Sequence, residues 1–351
     1  MSPSAAGTER AAGPSGGPGH GRAVVLISHS YVDEDPRVRR QVEALDAAGW
    51  AVDVIGLRRP GEPATGRLGG ARLRRLDVQR HQGATAGTYL LEYGAFFVRA
   101  TLRLAVDHRR RHYALVQVAT LPDWLVFAAL PLRLLGVAVV IDLHEAMPAF
   151  FASRFPGLAR GPARAVLELA ERLSIAAATH AIAANEALGE RLIGLGVPRQ
   201  RLTVIPNVPS LARFDRGRHP RRPFMADGTL RLVYAGAVTP TYDLGVALEA
   251  MAAIRAARPE LAVALDVYGR GDATEALVVR AAELGLDGTV RFHGRIPIEA
   301  VPAAVGSADV GIAPVSASAF TQLSFSTKLL EYGAMGLPVV AARLPLAERL
   351  L

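Results

Sequence analysis

The chain has no cysteine in its 351 residues. That excludes disulfides, thiolate-held metals and thiol nucleophiles, and it suits a reducing compartment such as the cytoplasm. Aromatic residues are scarce at 6 %. No basic run is interleaved with them and no zinc-finger spacing occurs, so nucleic acid is the weakest of the anionic partners that a basic chain invites. Acidic residues are outnumbered, 32 against 40 Lys+Arg, for a net charge of +8. Arginine carries nearly all of the excess, which leaves phosphorylated small molecules and anionic lipid as partners. A membrane-crossing run is also missing. The most apolar stretch, 121–143, is interrupted by Pro122, Asp123, Pro131, Arg133 and Gly136. It parses as helix, turn and buried strand.

What is present suffices for two domains, since 50 % of the residues are hydrophobic and the length allows two ordinary cores. Residues 1–22 are rich in Gly, Ser, Pro and Ala and read as a disordered tail rather than a signal peptide. A continuous apolar run at 23–28 predicts a buried strand. Asp35 then offers an N-cap with Pro36 in the first helical turn, and Gly49 stops the helix. The run 51–56 is the next strand, so the unit is a right-handed parallel crossover. Further strands are expected at 71–76, 115–118, 137–143, 181–183 and 202–205, with long helices at 88–107 and 162–178. This fills a first domain over 23–207.

Residues 208–228 carry prolines and arginines without an apolar period and read as a linker. Alternation resumes over 229–351, with strands at 230–236, 262–268, 289–293, 309–313 and 338–342. Helices are expected at 245–258, 273–284 and 298–305. The fold class is therefore α/β, two Rossmann-like doubly wound parallel sheets whose strand C-terminal ends face a cleft. A closing strand and helix are expected after 342, so the chain reads as shortened at its C-terminus.

The most informative stretch is 324–342. It predicts a helix capped by Ser326 or Thr327, ended by Gly336 and followed at once by a buried strand. Lys328 and Glu331, three apart, share one face of its first turn. A helix N-terminus offers free N–H groups to a diphosphate. Lys328 adds a cation for the same anion, and Glu331 can accept from two ribose hydroxyls. The bland alternative is a solvated surface pair contributing a few tenths of a kcal/mol.

Rival signals are weaker. Asp33-Glu34-Asp35 has a metal-binding spacing, but its place after the first strand suits a helix cap better. His108 and His112 stand four apart among arginines that repel a cation, and read as a solvated helix end. Gly269-Arg270-Gly271 lacks the third glycine of a dinucleotide fingerprint, which sets NAD aside. The 88–107 helix, with its Arg109–Arg111 tail, carries enough apolar and basic residues to touch an anionic membrane surface peripherally. The plainer reading is a core helix ending in solvent.

Several ordered segments together resemble the retaining glycosyltransferases of the GT-B fold, family four. They are Asp35-Pro36-Arg37-Val38-Arg39-Arg40, Val139 to Glu145, Val204-Ile205-Pro206-Asn207-Val208, Val267 to Gly271, Val290 to Arg295 and the Ser326–Pro338 stretch. The resemblance implies transfer of a hexosyl group from a nucleotide-diphosphate sugar to an acceptor hydroxyl with retention, in glycan, glycolipid or polysaccharide biosynthesis. No metal or other cofactor is implied. By the same resemblance Lys328 would hold the donor diphosphate, Glu331 the ribose, and Gly236 would admit backbone to the phosphates. Gly269, Arg270, Ser324, Ser326 and Thr327 would complete the donor site, Arg295 would line the base pocket, and His144 would lie near the transferred sugar. The catalytic set is thus His144, Lys328 and Glu331.

Three positions depart from the family pattern. Leu323 stands where a first glutamate is common, and Ala237 and Leu244 stand where an Arg and a Lys are. They thin the diphosphate clamp and keep a second reading open, a non-catalytic GT-B protein that binds a nucleotide sugar or a partner enzyme. An epimerase of the same fold would need more cleft carboxylates than the sequence places.

Overall fold

The computed structural model describes residues 21–79, 85–155, 157 and 160–349. Most of the expected N-terminal tail, and the last two residues, lie outside that set. The first sheet contains β1 (Ala23–Ser28), β2 (Ala51–Leu57), β3 (Thr65–Leu68), β4 (Ala71–Leu76), β5 (Leu115–Ala119), β6 (Ala138–Leu143), β7 (His180–Ala183) and β8 (Leu202–Val204). Their spatial order is β3-β4-β2-β1-β5-β6-β7-β8. Only the β3–β4 pair is antiparallel. Every residue of β1 is buried, as a central parallel strand with helices on both faces requires.

The second sheet contains β9 (Thr229–Ala235), β10 (Ala262–Tyr268), β11 (Val290–Gly294), β12 (Val310–Ala313) and β13 (Val339–Ala341). It is all parallel, in the order β11-β10-β9-β12-β13. In each sheet the chain winds outward from one strand and then jumps to its other side. The reversals fall between β1 and β5 and between β9 and β12. Crevices for ligands open at such switch points, beyond the strand C-termini.

Asp35 caps the helix Pro36–Ala47 through the Arg37 N–H at 3.0 Å, with Pro36 in its first turn. Opposite that helix, Ala86–Arg111 and Gly161–Ala177 cover the other face of the first sheet. The expected long helices are therefore present, extended at both ends in the first case. The sequence reading missed β3, whose Thr-Gly-Arg-Leu composition carries no strand signal. The stretch 121–143, expected as helix, turn and buried strand, begins with a 3-10 turn at Asp123–Ala129 and a short helix at Leu130–Leu134 before β6. A four-residue helix, Pro345–Glu348, follows β13.

The stretch 208–228 is not a free linker. Phe214 is buried among Val233, Val305 and Met335, and the Met225 N–H donates to the buried Asp309 carboxylate at 2.9 Å. One anchor residue and backbone hydrogen bonds are enough to seat it, without any apolar period. Across the cleft, Arg154 pairs with Asp272 at 2.7 Å and Arg39 with Glu299 at 3.1 Å. Phe150 meets Phe320 edge to face, ring centroids 5.6 Å apart.

Candidate active site

The helix Thr327–Ala334 starts at Ser326, whose backbone is extended and whose side chain makes no capping bond. Its hydroxyl oxygen is buried and, among the described residues, has no hydrogen-bond partner. Buried hydroxyls are normally satisfied, and this one stands beside the first turn of a helix, whose leading N–H groups have no partner within the helix. Tyr332 fixes the helix from below. Its ring fills the space that Gly311 leaves, and its hydroxyl accepts from the Ala235 N–H at 3.1 Å.

Lys328 is the only lysine in the chain, and it is 7 % exposed. Its ammonium lies 3.8 Å from the centre of the Tyr242 ring and 5.0 Å from that of Tyr234. Among the described residues no carboxylate comes within 4.0 Å of it. Burial lowers its pKa to about 8, against the opposing pull of Glu331. Gly236 supplies the room: a Cβ there would fall 2.3 Å from the Lys328 Cε. The Gly236 N–H is itself engaged by the Tyr268 carbonyl at 2.8 Å. This glycine therefore admits the lysine side chain, where the sequence reading had it admitting backbone to phosphates.

Burial raises the Glu331 pKa, opposed by Lys328, Arg40 and Arg213. Arg40 comes from the first domain, so the two halves meet electrostatically over this carboxylate. Its guanidinium donates to the Asn207 side-chain oxygen at 3.1 Å and also to the Val208 carbonyl. That contact turns the Asn207 amide N–H toward His144 Nδ1, 3.4 Å away. Nδ1 therefore accepts, and the His144 proton sits on Nε2, 3.3 Å from Asp142. Asp142 is 1 % exposed. Burial works to raise its pKa, but His144 and hydrogen bonds from Gln41 and Gln117 outweigh that and hold it low. Both ring nitrogens of His144 are thus engaged, and its orientation is set by residues running back to Arg40.

The other expected site residues are spread around this core. Gly269 lies beside Gly236, where a Cβ would come 1.8 Å from the Gly236 oxygen. The Arg270 carbonyl accepts from the Val238 N–H at 3.3 Å. Ser324 donates to the Phe320 carbonyl at 3.0 Å, and Thr327 is the first residue of the Lys328 helix. The Arg295 guanidinium pairs with Glu34 across the cleft, so this side chain bridges the domains. Leu323 packs on the first-domain core, and its carbonyl accepts from Asn185 Nδ2 at 2.9 Å.

Sequence reasoning missed Arg40, Arg213, Asn207, Asp142 and Tyr242. Arg40 sits one turn from Arg37, so the i,i+3 pairing of cations inside a segment already singled out was a usable signal. Tyr242 gave none, being a single tyrosine in the loop between β9 and the helix Leu244–Ala257. The rival metal spacing dissolves into ion pairs. Asp35 is held down to about 2 as Arg37 outweighs burial, and Asp33 pairs with Arg75 at 3.1 Å.

Two family models match the chain, a glycosyl transferase 4-like domain over residues 35–208 and glycosyl transferases group 1 over 229–350. No curated protein matches it in sequence. Among solved structures it is similar to sucrose-phosphate synthase from Thermosynechococcus elongatus, with a TM-score of 0.70 at 20 % identity, covering 92 % of this chain and 82 % of that one. HepE from Anabaena in complex with UDP and glucose gives 0.63 at 15 % identity, covering 94 % and 83 %. A UDP-forming trehalose-phosphate synthase from Burkholderia xenovorans gives 0.63 at 14 % identity, covering 91 % and 88 %. At these identities the likeness establishes the fold.

Proposed function

The chain belongs to the group 1 glycosyl transferases of the GT-B fold, and on that premise we propose that it transfers a sugar, with retention, from a nucleoside-diphosphate sugar to an acceptor hydroxyl. The observation that carries this is Lys328, a sole, buried lysine with no carboxylate within 4.0 Å among the described residues, set against aromatic rings at a helix N-terminus. Such a cation is costly to bury without an anion. A diphosphate supplies one, and it also takes the Ser326 hydroxyl and the first-turn N–H groups. Glu331 then accepts from the ribose hydroxyls. HepE, of the same fold, has been crystallised with UDP-glucose, which supports a nucleotide sugar as the occupant here.

The chemistry follows from where charge develops. As the glycosidic carbon–oxygen bond breaks, negative charge gathers on the departing diphosphate. The Lys328 ammonium and the helix N-terminus are already in place to stabilise it. The acceptor hydroxyl attacks on the same face, its oxygen bonds to the anomeric carbon, and its proton passes to the leaving diphosphate oxygen. The products are a retained glycoside and a nucleoside diphosphate. Lys328 and the helix N-terminus do for the diphosphate what a divalent cation would otherwise do, so transfer proceeds without a metal. His144, locked between Asn207 and Asp142, lines the acceptor side as a positioning group.

The test is a thermal-shift screen against UDP, GDP, ADP and TDP, then transfer from the matching sugar nucleotide with the anomeric configuration read by NMR. The proposal requires one diphosphate to stabilise the wild type but not Lys328→Ala. An inverted product, or full binding by Lys328→Ala, contradicts it. One observation favours a second reading, binding without transfer: Leu323 is turned into the interdomain contact at a position where the family resemblance places a glutamate. Tight nucleotide binding with no transfer to any of a panel of acceptors would select that reading.

A further inference from the structure

We infer that the outward face of the helix Ala86–Arg111, together with two apolar strips beside it, docks on an anionic phospholipid bilayer. The helix is 26 residues long. Its inner side is fixed by Tyr93, Phe96, Ala100 and Leu104, all buried. On the opposite side Leu91, Ala95, Val98, Leu102 and Ala105 recur at alternating steps of four and three, which keeps them in line along a helix. All five are exposed, Leu91 at 76 %. Leu134 and Leu135 add 81 % and 74 % exposure, and Val166, Leu169 and Leu173 form an exposed strip on the helix Gly161–Ala177. Both long helices pack against the turn Asp123–Ala129, which runs directly into the segment carrying Leu134. The three strips therefore lie on one side of the first domain. A set this broad exceeds the scattered surface leucines of an ordinary soluble protein.

Charge selects the occupant. The helix has two acidic residues, Glu92 and Asp107, and both are buried. Asp107 is engaged by Arg103 at 2.5 Å. Arg99, Arg109 and Arg110 are exposed and have no carboxylate partner among the described residues. Arg172, also exposed, lies on the neighbouring helix beside Leu173. A second copy of the long helix would set arginines against arginines, its own two carboxylates being buried and the accessible Glu168 lying beside Arg172 on the neighbouring helix, which opposes self-pairing through the long helix. A bilayer surface offers phosphates to the guanidiniums and acyl chains to the leucines together. Among the described residues no helix is long and apolar enough to cross a membrane, so the contact lies in the plane of the surface. None of this uses the residues assigned to the cleft, and the inference stands apart from the transferase reading.

Co-sedimentation of the whole chain with phosphatidylglycerol–phosphatidylcholine vesicles, against phosphatidylcholine vesicles alone, tests it. Binding is expected only with the anionic vesicles and is expected to fall as salt rises. Arg109→Gln with Arg110→Gln should weaken it by about fivefold per arginine. Leu91→Gln with Leu102→Gln should remove it, and both pairs should melt with the wild type because the side chains are exposed. No binding to the anionic vesicles, equal binding to phosphatidylcholine, or binding unchanged by the arginine pair would overturn the inference. So would a solution dimer, lost in the leucine pair, from a protein that ignores vesicles.

Discussion

The Lys328 ammonium rests 3.8 Å from the centre of the Tyr242 ring, held by a π-face and by no carboxylate within 4.0 Å among the described residues. Cation–π attraction offsets only part of the desolvation of a buried ammonium, so the unliganded site is strained. Lys328→Met, apolar and of similar length, should therefore stabilise the unliganded protein near neutral pH. A pKa of about 8, against an ordinary 10.5, places the gain at roughly 3 kcal/mol before relaxation. The unfolded chain binds the extra proton between those two values. Wild-type stability should then climb as pH rises from about 8 to 10.5, and the variant should show no such climb. Urea melts across that window measure it. A variant less stable than wild type at neutral pH would show that the lysine is satisfied.

The same group sets a pH limit on binding. A bound diphosphate holds the ammonium charged, whereas the free site loses its proton above about 8. Affinity for the preferred nucleoside diphosphate should be flat below that pH and fall by about tenfold per unit above it. Titration calorimetry at several pH values, in buffers of different ionisation heat, should also find proton uptake on binding in the alkaline range. Lys328→Ala should bind weakly with no such dependence.

How much of this was legible in the sequence differs between fold and site. A strand such as β1 was readable because a parallel strand buried on both faces forms a continuous apolar run between turn residues. Edge strand β3 was not, since its residues make no such run. Lys328 and Glu331 announced themselves by spacing on a helix with a clear start and stop. Their surroundings did not. Arg40, Asn207 and His144 are distant in sequence and are brought together by the folding of the first domain, and only the packing of one sheet domain on the other sets Arg40 over Glu331. Gly236 was singled out for backbone access, whereas Lys328 takes the space it leaves, because a glycine's letter does not say which neighbour will do so.

The Glu331 carboxylate has no hydrogen-bond donor among the described residues, and burial pushes its pKa up. Ribose hydroxyls would satisfy it. Wild type should prefer ribo- over 2′,3′-dideoxynucleoside diphosphates by about tenfold or more, the range for hydrogen bonds to a charged group. Glu331→Ala should bind the two alike. Competition binding gives the ratio, and an unchanged preference in the variant would remove Glu331 from the ribose site.

Gly269 tests the close packing of the strand ends under the crevice. A Cβ there would fall 1.8 Å from the Gly236 carbonyl oxygen, which is backbone and has little freedom to move. Gly269→Ala should cost several kcal/mol by overpacking. Gly333→Ala, in a helix with nothing within 4 Å of the added atom, should instead gain about 0.5–1 kcal/mol. Parallel thermal melts compare the two, and a Gly269→Ala protein as stable as wild type would mean that the strand ends can separate.

Asn185 makes two hydrogen bonds that can be separated. Its side-chain oxygen caps the helix Glu186–Gly194 by accepting from the Leu188 N–H at 2.8 Å, and its amide nitrogen donates to Leu323 in the other domain at 2.9 Å. Aspartate caps a helix as well as asparagine does but offers an oxygen where the Leu323 carbonyl needs a donor. Asn185→Asp should therefore leave the melting temperature of the first domain close to wild type while opening the cleft. Losing one interdomain hydrogen bond, with repulsion in its place, is on the order of 1–2 kcal/mol, about five- to thirtyfold in the closed population. Apparent nucleotide affinity should fall by the same factor if the closed form is the competent one. Small-angle scattering of the unliganded variant should report a larger radius of gyration that saturating nucleotide restores. If instead radius and affinity both match wild type, Leu323 is seated by its side chain alone, and a donor at 185 does not govern closure.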